Sequence, residues 1–149
     1  MRRAVLAFVV GVTAALAASP AGLAAKCTPT PNSGGPDSSP PLRARIGTGH
    51  VLVGVVLTPA CTPVGGARVS FWQSNAKGVY TAAGGGAVVT AKNGRFRFEG
   101  PRPKPYEGRP GHIHIKVQAA GFDTLYVTYF PPAGSRHGSL RLVLRPAAL

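Results

Sequence analysis

Residues 112–119 of the 149-residue chain read HIHIKVQA, and this stretch decides the fold. Apolar and polar side chains alternate along it, as they do in a strand that has one face against a core. The predicted core face carries Ile113, Ile115 and Val117. The opposite face then carries His112, His114 and Lys116, so the two imidazoles project from the same side of one strand.

Six other segments have the same β-rich character. They are residues 50–57 (HVLVGVVL), 67–73 (ARVSFWQ), 87–90 (AVVT), 95–99 (RFRFE), 124–130 (TLYVTYF) and 139–145 (SLRLVLR). Turn-forming pairs such as Gly65-Gly66 and Asn93-Gly94 separate them, and helical periodicity is absent after the first 25 residues. The pattern predicts an all-β fold: a mostly antiparallel β-sandwich of about seven strands, in a single domain at residues 48–149.

The N-terminus has the three-part pattern of a secretory signal peptide at residues 1–25. Arg2 and Arg3 precede an uncharged apolar run at residues 4–18, and small residues follow it. The alternative is an uncleaved membrane anchor, which the short apolar run disfavours. The pattern predicts a secreted or periplasmic protein. Residues 26–47, rich in Pro, Ser and Gly, are predicted to form an extended arm.

The chain has two cysteines, Cys27 and Cys61. In an exported protein an even pair predicts one disulfide, which would tie the arm to the turn after the first long strand. The alternative is a pair of free thiols.

The composition is strongly basic, with a formal net charge of +13. Such a field attracts anions, including acidic small molecules. The charges are nevertheless scattered, and no recognition helix is apparent in the sequence. We therefore expect no nucleic-acid partner.

Four side chains suggest a metal site. His112 and His114 form an H-x-H pair on the predicted strand, and the segments before it contain Tyr80 and Tyr106. Two imidazoles and two phenols make an N2O2 donor set. Since tyrosine ionises near pH 10, phenolate at neutral pH needs a strong Lewis acid, and ferric iron is the obvious candidate. The alternatives are a polar surface pair with rim tyrosines, or a structural zinc or copper ion.

Three stretches resemble the intradiol ring-cleaving dioxygenases, especially their small secreted members. They are residues 66–80 (GARVSFWQSNAKGVY), 90–98 (TAKNGRFRF) and 105–117 (PYEGRPGHIHIKV). The third is the most specific, because residue types and spacing agree together. The resemblance extends from about Cys27 to Pro132.

The resemblance implies an antiparallel β-sandwich that binds non-haem Fe3+. It implies that Tyr80, Tyr106, His112 and His114 are the ferric ligands and that Arg109 is a catalytic residue facing the substrate. It implies cleavage of a catechol-type aromatic diol between its two hydroxyls, with O2 as the second substrate.

The sequence also departs from the family pattern. Residues 33–37 (SGGPD) keep only the Gly-Pro of a motif that is often acidic and aromatic, and Val127 stands where many members have a polar residue. A short glycine-rich loop between Tyr80 and Tyr106 is expected to leave the pocket open.

Two other families remain as alternatives. Residues 65–98 are similar to a carboxypeptidase regulatory-type domain, which would make the chain a non-catalytic β-sandwich binding module. Residues 50–52 are similar to the opening of a transthyretin-like hydrolase. We assign neither His50, interpreted as a strand cap, nor His137, interpreted as part of a Gly-Ser loop, to the site.

Overall fold

Seven strands form two sheets in the computed structural model, which describes residues 26–75 and 77–148. They are β1 (His50–Leu57), β2 (Arg68–Ser74), β3 (Tyr80–Val89), β4 (Arg95–Gly100), β5 (Ile113–Gln118), β6 (Leu125–Tyr129) and β7 (His137–Val143). No helix occurs in this part of the chain, and thus none that could cross a membrane. The predicted signal peptide, residues 1–25, lies outside the described residues.

The two sheets are mostly antiparallel. One has the order β4-β1-β7 and the other β3-β2-β5-β6, and only the β1–β7 pairing is parallel. The core lies between them, where Phe71 of one sheet stacks on Phe98 of the other with ring centroids 4.3 Å apart. The predicted all-β, mostly antiparallel sandwich of about seven strands is confirmed.

The third strand differs most from the sequence prediction. It begins at Tyr80 rather than at residue 87, because residues 80–86 continue along β2 after a bulge instead of forming a loop. The glycines in this segment allow close contacts: a Cβ at Gly85 would lie 2.9 Å from Pro40, and one at Gly86 would lie 2.5 Å from the Arg43 carbonyl oxygen. The glycine run therefore marks a tightly covered strand, not a turn.

Two smaller boundaries also differ. The seventh strand spans His137–Val143 instead of residues 139–145, so His137 starts a strand rather than lying in a loop. His112 lies immediately before β5, not within it, although its side chain is buried.

The arm, residues 26–47, runs along the edges of both sheets. Its backbone bonds to β7 at Thr30, to β6 at Ser33, to β3 at Pro41 and Arg43, and to β4 at Ala44 and Ile46. These four strands are the edge strands, whose unpaired backbone groups would otherwise face water.

Between β6 and β3 the arm crosses the outer face of the four-stranded sheet. We call this crossing segment, residues 33–41, the roof. Ser70 and Lys116, on the outer face, are almost fully buried beneath it, at 0% and 4% exposure. The predicted disulfide Cys27–Cys61 is present and fixes the start of the arm.

Candidate metal centre and its cavity

The four predicted metal-binding side chains converge at one end of the four-stranded sheet. The phenol oxygens of Tyr80 and Tyr106 lie 2.5 Å apart. His112 Nε2 lies 3.3 Å from the first oxygen and 3.4 Å from the second. The His114 ring lies 4.8 Å from the His112 ring and 5.8 Å from the Tyr80 ring, centroid to centroid. Strand β3, strand β5 and the loop between β4 and β5 thus bring all four residues together.

A tight turn presents Tyr106 and Arg109 side by side. The backbone N–H of each donates to the carbonyl of the other, at 3.1 and 2.8 Å. The two central residues, Glu107 and Gly108, have φ of 48° and 70°, as a type I′ turn requires. We call Tyr80, Tyr106, His112 and His114 the quartet. Residues 106–109 therefore carry one of its two phenols and the predicted catalytic arginine.

The loop before Tyr80 is held by Asn75. Its Oδ1 accepts hydrogen bonds from the backbone N–H groups of Lys77 and Val79, and its carbonyl accepts one from Gly78. Gly78 has φ +76°, and a Cβ there would lie 2.8 Å from the Tyr106 Cβ. The two tyrosine-bearing loops are therefore in direct contact.

A backbone carbonyl fixes the orientation of the His112 ring. Its Nδ1–H donates to the Pro110 carbonyl at 2.8 Å, because a carbonyl can only accept. In the neutral ring Nε2 then carries the lone pair, and this atom faces the two phenol oxygens. A ring fixed through its other nitrogen in this way is typical of metal-binding histidines.

Burial shifts the pKa of two members of the quartet. Burial, with smaller effects from the charges of His112 and Arg109, lowers the pKa of His114 to about 4, so this imidazole is neutral at pH 7. Burial and the hydrogen bond with Tyr106 raise the pKa of Tyr80 above its usual range, and the Arg109 charge partly opposes this.

The donor set fits a hard, highly charged cation. The two phenol oxygens lie within hydrogen-bonding distance of each other, and His114 Nδ1 is buried with no hydrogen-bond partner among the described residues. The same part of the chain contains no cluster of three His, Cys, Asp or Glu side chains that could hold a metal. A metal at this site would therefore need the tyrosines as ligands.

A cavity of about 870 Å³ opens beside the quartet. Tyr80, Tyr106, His114 and Arg109 line one side of it, and the roof supplies nearly half of the lining residues. The Gly-Pro pair of residues 33–37 is therefore part of the cavity wall. That placement depends on where the arm crosses the sheet, which no local pattern reveals.

Strand β6 presents Thr128, not Val127, to this cavity. Thr128 pairs with His114 across the sheet and lines the cavity, whereas Val127 packs against the core. Trp72, from the neighbouring strand, also lines the cavity, with its ring 6.0 Å from that of His114. Side chains alternate along β2, so Trp72 lies on the face opposite Val69 and Phe71, which pack in the core.

His50 and His137 line a separate cavity of about 380 Å³. His50 is only 2% exposed and contacts the Tyr129 hydroxyl at 3.2 Å and the Ser135 carbonyl at 3.3 Å. Neither histidine belongs to the quartet.

Comparison with known proteins gives consistent matches. A family profile described as dioxygenase matches residues 37–137. Hydroxyquinol 1,2-dioxygenase of Rhizobium sp. (strain MTP-10005) is 31% identical over 58% of this chain and 38% of its own length. Catechol 1,2-dioxygenase of Candida albicans is 31% identical over 42% of this chain and 30% of its own. The chain therefore spans only about a third of the length of these curated relatives.

Solved structures match over more of their length. The dioxygenase domain of a dioxygenase carbohydrate-binding protein fusion from Streptomyces sp. SirexAA-E has a TM-score of 0.71 and 27% identity, covering 80% of this chain and 100% of that one. An intradiol ring-cleavage dioxygenase from Tetranychus urticae has a TM-score of 0.68 and 18% identity, covering 82% and 97%. The second match, at this identity, concerns the fold alone.

Proposed function

The chain belongs to the intradiol ring-cleavage dioxygenase family, and on this premise we propose that it is a non-haem ferric enzyme that cleaves a catechol-type ring between its two hydroxyls with O2. The observation that carries the proposal is the convergence of two phenols and two imidazoles beside a cavity that also contains Arg109. A regulatory-type binding module, the alternative from the sequence, gives no reason for this convergence.

In the proposed site Tyr80, Tyr106, His112 and His114 hold the ferric ion. When bound, Fe3+ would supply Lewis acidity and a template for the diol and O2. His114 is available as a neutral ligand because burial keeps its pKa at about 4. Tyr80, whose pKa burial raises, becomes a phenolate only beside a strong positive charge.

Tyr106 is proposed to handle a substrate proton. Tyr80 and Tyr106 both line the cavity, whereas His112 is 1% exposed, and Tyr106 is the tyrosine carried by the turn that also presents Arg109. Its phenolate Oη would accept the proton of one substrate hydroxyl and leave that oxygen as an anion. Its place on the turn beside Arg109 is the reason for this assignment.

Arg109 is proposed to face the ring of the bound diol. Its guanidinium lines the same cavity as Tyr106, three residues away across the tight turn. A fixed positive charge there orients a diol anion and stabilises negative charge that develops on the ring. We expect Arg109→Leu to lower kcat far more than it lowers metal content.

The test is a visible absorption spectrum with metal analysis on the same purified protein, followed by an oxygen-consumption assay with catechol. Tyrosinate bound to ferric iron absorbs in the visible range, so a wine-red protein containing iron, and a ring-opened dicarboxylate product, are expected. Tyr80→Phe and Tyr106→Phe should each weaken or shift the absorption, whereas Tyr126→Phe, outside the quartet, should leave it unchanged. A protein that stays colourless after Fe3+ is added would overturn the proposal.

We also propose that the protein is exported through residues 1–25. The Cys27–Cys61 disulfide supports this, because disulfides persist mainly in oxidising compartments. Mass spectrometry of the protein from a culture supernatant or periplasmic extract should show a new N-terminus near Ala25. A protein that retains Arg2 and Arg3 in the cytosol would contradict export.

A further inference from the structure

We propose that Lys116 and Asp37 form a clasp that holds the roof over the cavity, and that the roof position selects which ring substituents the enzyme accepts. The specificity part of this inference rests on the proposed function. Neither residue lines the cavity, so both act as positioning residues through the roof.

The roof is attached by backbone bonds mainly at its ends. Ser33 N–H donates to the Tyr126 carbonyl at 2.9 Å, and the Pro41 carbonyl accepts from Ala87 N–H at 3.0 Å. Between these points the attachments use side chains. Arg68 donates to the Pro40 carbonyl at 2.5 Å, and Lys116 forms an ion pair with Asp37. In the described part of the chain, this is the only ion pair that joins the roof to the sheet.

The two partners of the clasp differ in burial. The Lys116 side chain is 5% exposed, whereas that of Asp37 is 77% exposed. The Ser38 carbonyl lies 3.4 Å from Lys116 Nζ, and the Tyr126 hydroxyl lies 3.4 Å from Asp37 Oδ1. Among the described residues, the only carboxylate partner of this covered ammonium thus comes from the roof itself.

This asymmetry predicts unequal effects of mutation. Removing Asp37 leaves a buried cation without its counterion, which favours lifting the roof so that water can reach the ammonium. Removing the charge of Lys116 leaves Asp37 in water, where an unpaired carboxylate is well solvated. Replacing both by uncharged residues should allow the roof to close again. The reason is that replacing a buried ion pair with apolar side chains often leaves the free energy of unfolding unchanged.

The roof can act on specificity because it lies opposite the proposed diol-binding end. Gly35, Pro36 and Pro40 of the roof line the cavity that Tyr80 borders from the sheet and Tyr106 borders from the loop between β4 and β5. A volume of about 870 Å³ is of the size that holds drug-sized ligands, larger than one benzene ring needs. A ring anchored by its two hydroxyls would therefore place its substituents, but not its hydroxyls, near the roof.

The first experiment measures, in the metal-free protein, amide hydrogen exchange at the bonds that attach the roof, the N–H groups of Ser33 and Ala87. We compare wild type with Asp37→Ala, Lys116→Met and the double variant. Asp37→Ala should speed roof exchange by about tenfold, Lys116→Met should do so less, and the double variant should return to near the wild-type rate, since contacting partners couple strongly. Arg97→Met, which breaks an exposed ion pair on the other sheet, is the matched control and should leave the roof unchanged.

The second experiment measures kcat and KM for catechol and for a 4-substituted catechol. In Asp37→Ala the ratio of the two kcat/KM values should change by about fivefold or more, mainly through KM of the substituted substrate, and return in the double variant. Unchanged roof exchange in Asp37→Ala would overturn the clasp, and altered exchange with an unchanged ratio would overturn its role in specificity. Absence of iron binding in the wild type would instead overturn the proposed function, while the exchange result still decides the clasp.

Discussion

His50 is a buried histidine outside the proposed metal site, and it makes stability depend on pH. Burial is the main reason its pKa is lowered; the hydrogen bond with the Ser135 carbonyl partly opposes this, and the charges of Arg102 and His137 add to it. In the unfolded chain its pKa returns to about 6.5. As the pH falls below that value the unfolded state takes up the proton first, so the free energy of unfolding decreases.

We expect His50→Gln to flatten this dependence, because the amide keeps a hydrogen-bonding group for Tyr129 but does not titrate. Urea unfolding of the metal-free protein from pH 8 to pH 5 provides the measurement. His114 contributes a slope of the same sign, so the informative quantity is the difference between variant and wild type. Parallel curves for the two proteins would contradict the assignment to His50.

Gly78 tests the contact between the two tyrosine loops. Its φ of +76° makes any side chain unfavourable, and a Cβ would also lie 2.8 Å from the Tyr106 Cβ. Gly78→Ala should therefore destabilise the protein by about 1 kcal/mol or more through the backbone. It should also displace Tyr106 and weaken the tyrosinate absorption of the iron-loaded protein.

Gly66 provides the matched control for this experiment. Its φ is +77°, but no atom lies within 4 Å of the position a Cβ would take. Gly66→Ala thus carries the same backbone penalty without the contact. Equal absorption spectra for the two variants would show that the contact with Tyr106 does not matter for the site.

At the scale of an element, the turn from Tyr106 to Arg109 carries two proposed site residues and has a strained backbone at Glu107. Glu107 has φ 48°, a region that non-glycine residues seldom occupy, although asparagine tolerates it. We expect Glu107→Asn to raise the free energy of unfolding by about 0.5–1 kcal/mol, because the native conformation then suits the residue better. Thermal unfolding of the metal-free protein measures the change.

Glu107→Gln separates strain from charge in that measurement. It removes the negative charge but keeps a side chain that disfavours positive φ. If the backbone explanation holds, this variant should remain near wild type while Glu107→Asn gains stability. An equal gain in both would assign the effect to the charge instead.

Some strands can be predicted from the sequence almost completely. Residues 50–57 and 95–99 alternate or run apolar between clear turns, and the strands found there agree with the prediction almost residue for residue. The alternation of side chains along a strand also predicts that the two histidines of the H-x-H pair lie on the same side of the sheet. Residues 80–86 are not predicted as a strand because their glycines signal a loop locally, whereas in the fold these glycines allow the arm to pack closely against the strand.

At the scale of the whole molecule, the arm connects stability with the site. It covers all four sheet edges in succession and, between two of them, roofs the cavity. Nothing in the composition of residues 26–47 predicts this path, because the arm has almost no apolar periodicity and its bonds are to distant strands. The candidate ligands could be predicted from local motifs, but the cavity wall depends on these long-range contacts.

The disulfide fixes the start of this path, so its removal should affect stability more than the site. Cys27 and Cys61 are 34 residues apart in sequence, and closing a loop of that length stabilises the folded state by about 3–4 kcal/mol in the chain-entropy model. Urea unfolding of the Cys27→Ser, Cys61→Ser double variant should show a loss of this order. Because the roof has its own attachments at Ser33, Asp37 and Pro41, the visible spectrum of the iron-loaded variant at 25 °C should stay as in wild type. A variant that keeps its stability but loses its colour would mean that the covalent link, rather than the roof contacts, holds the arm at the site.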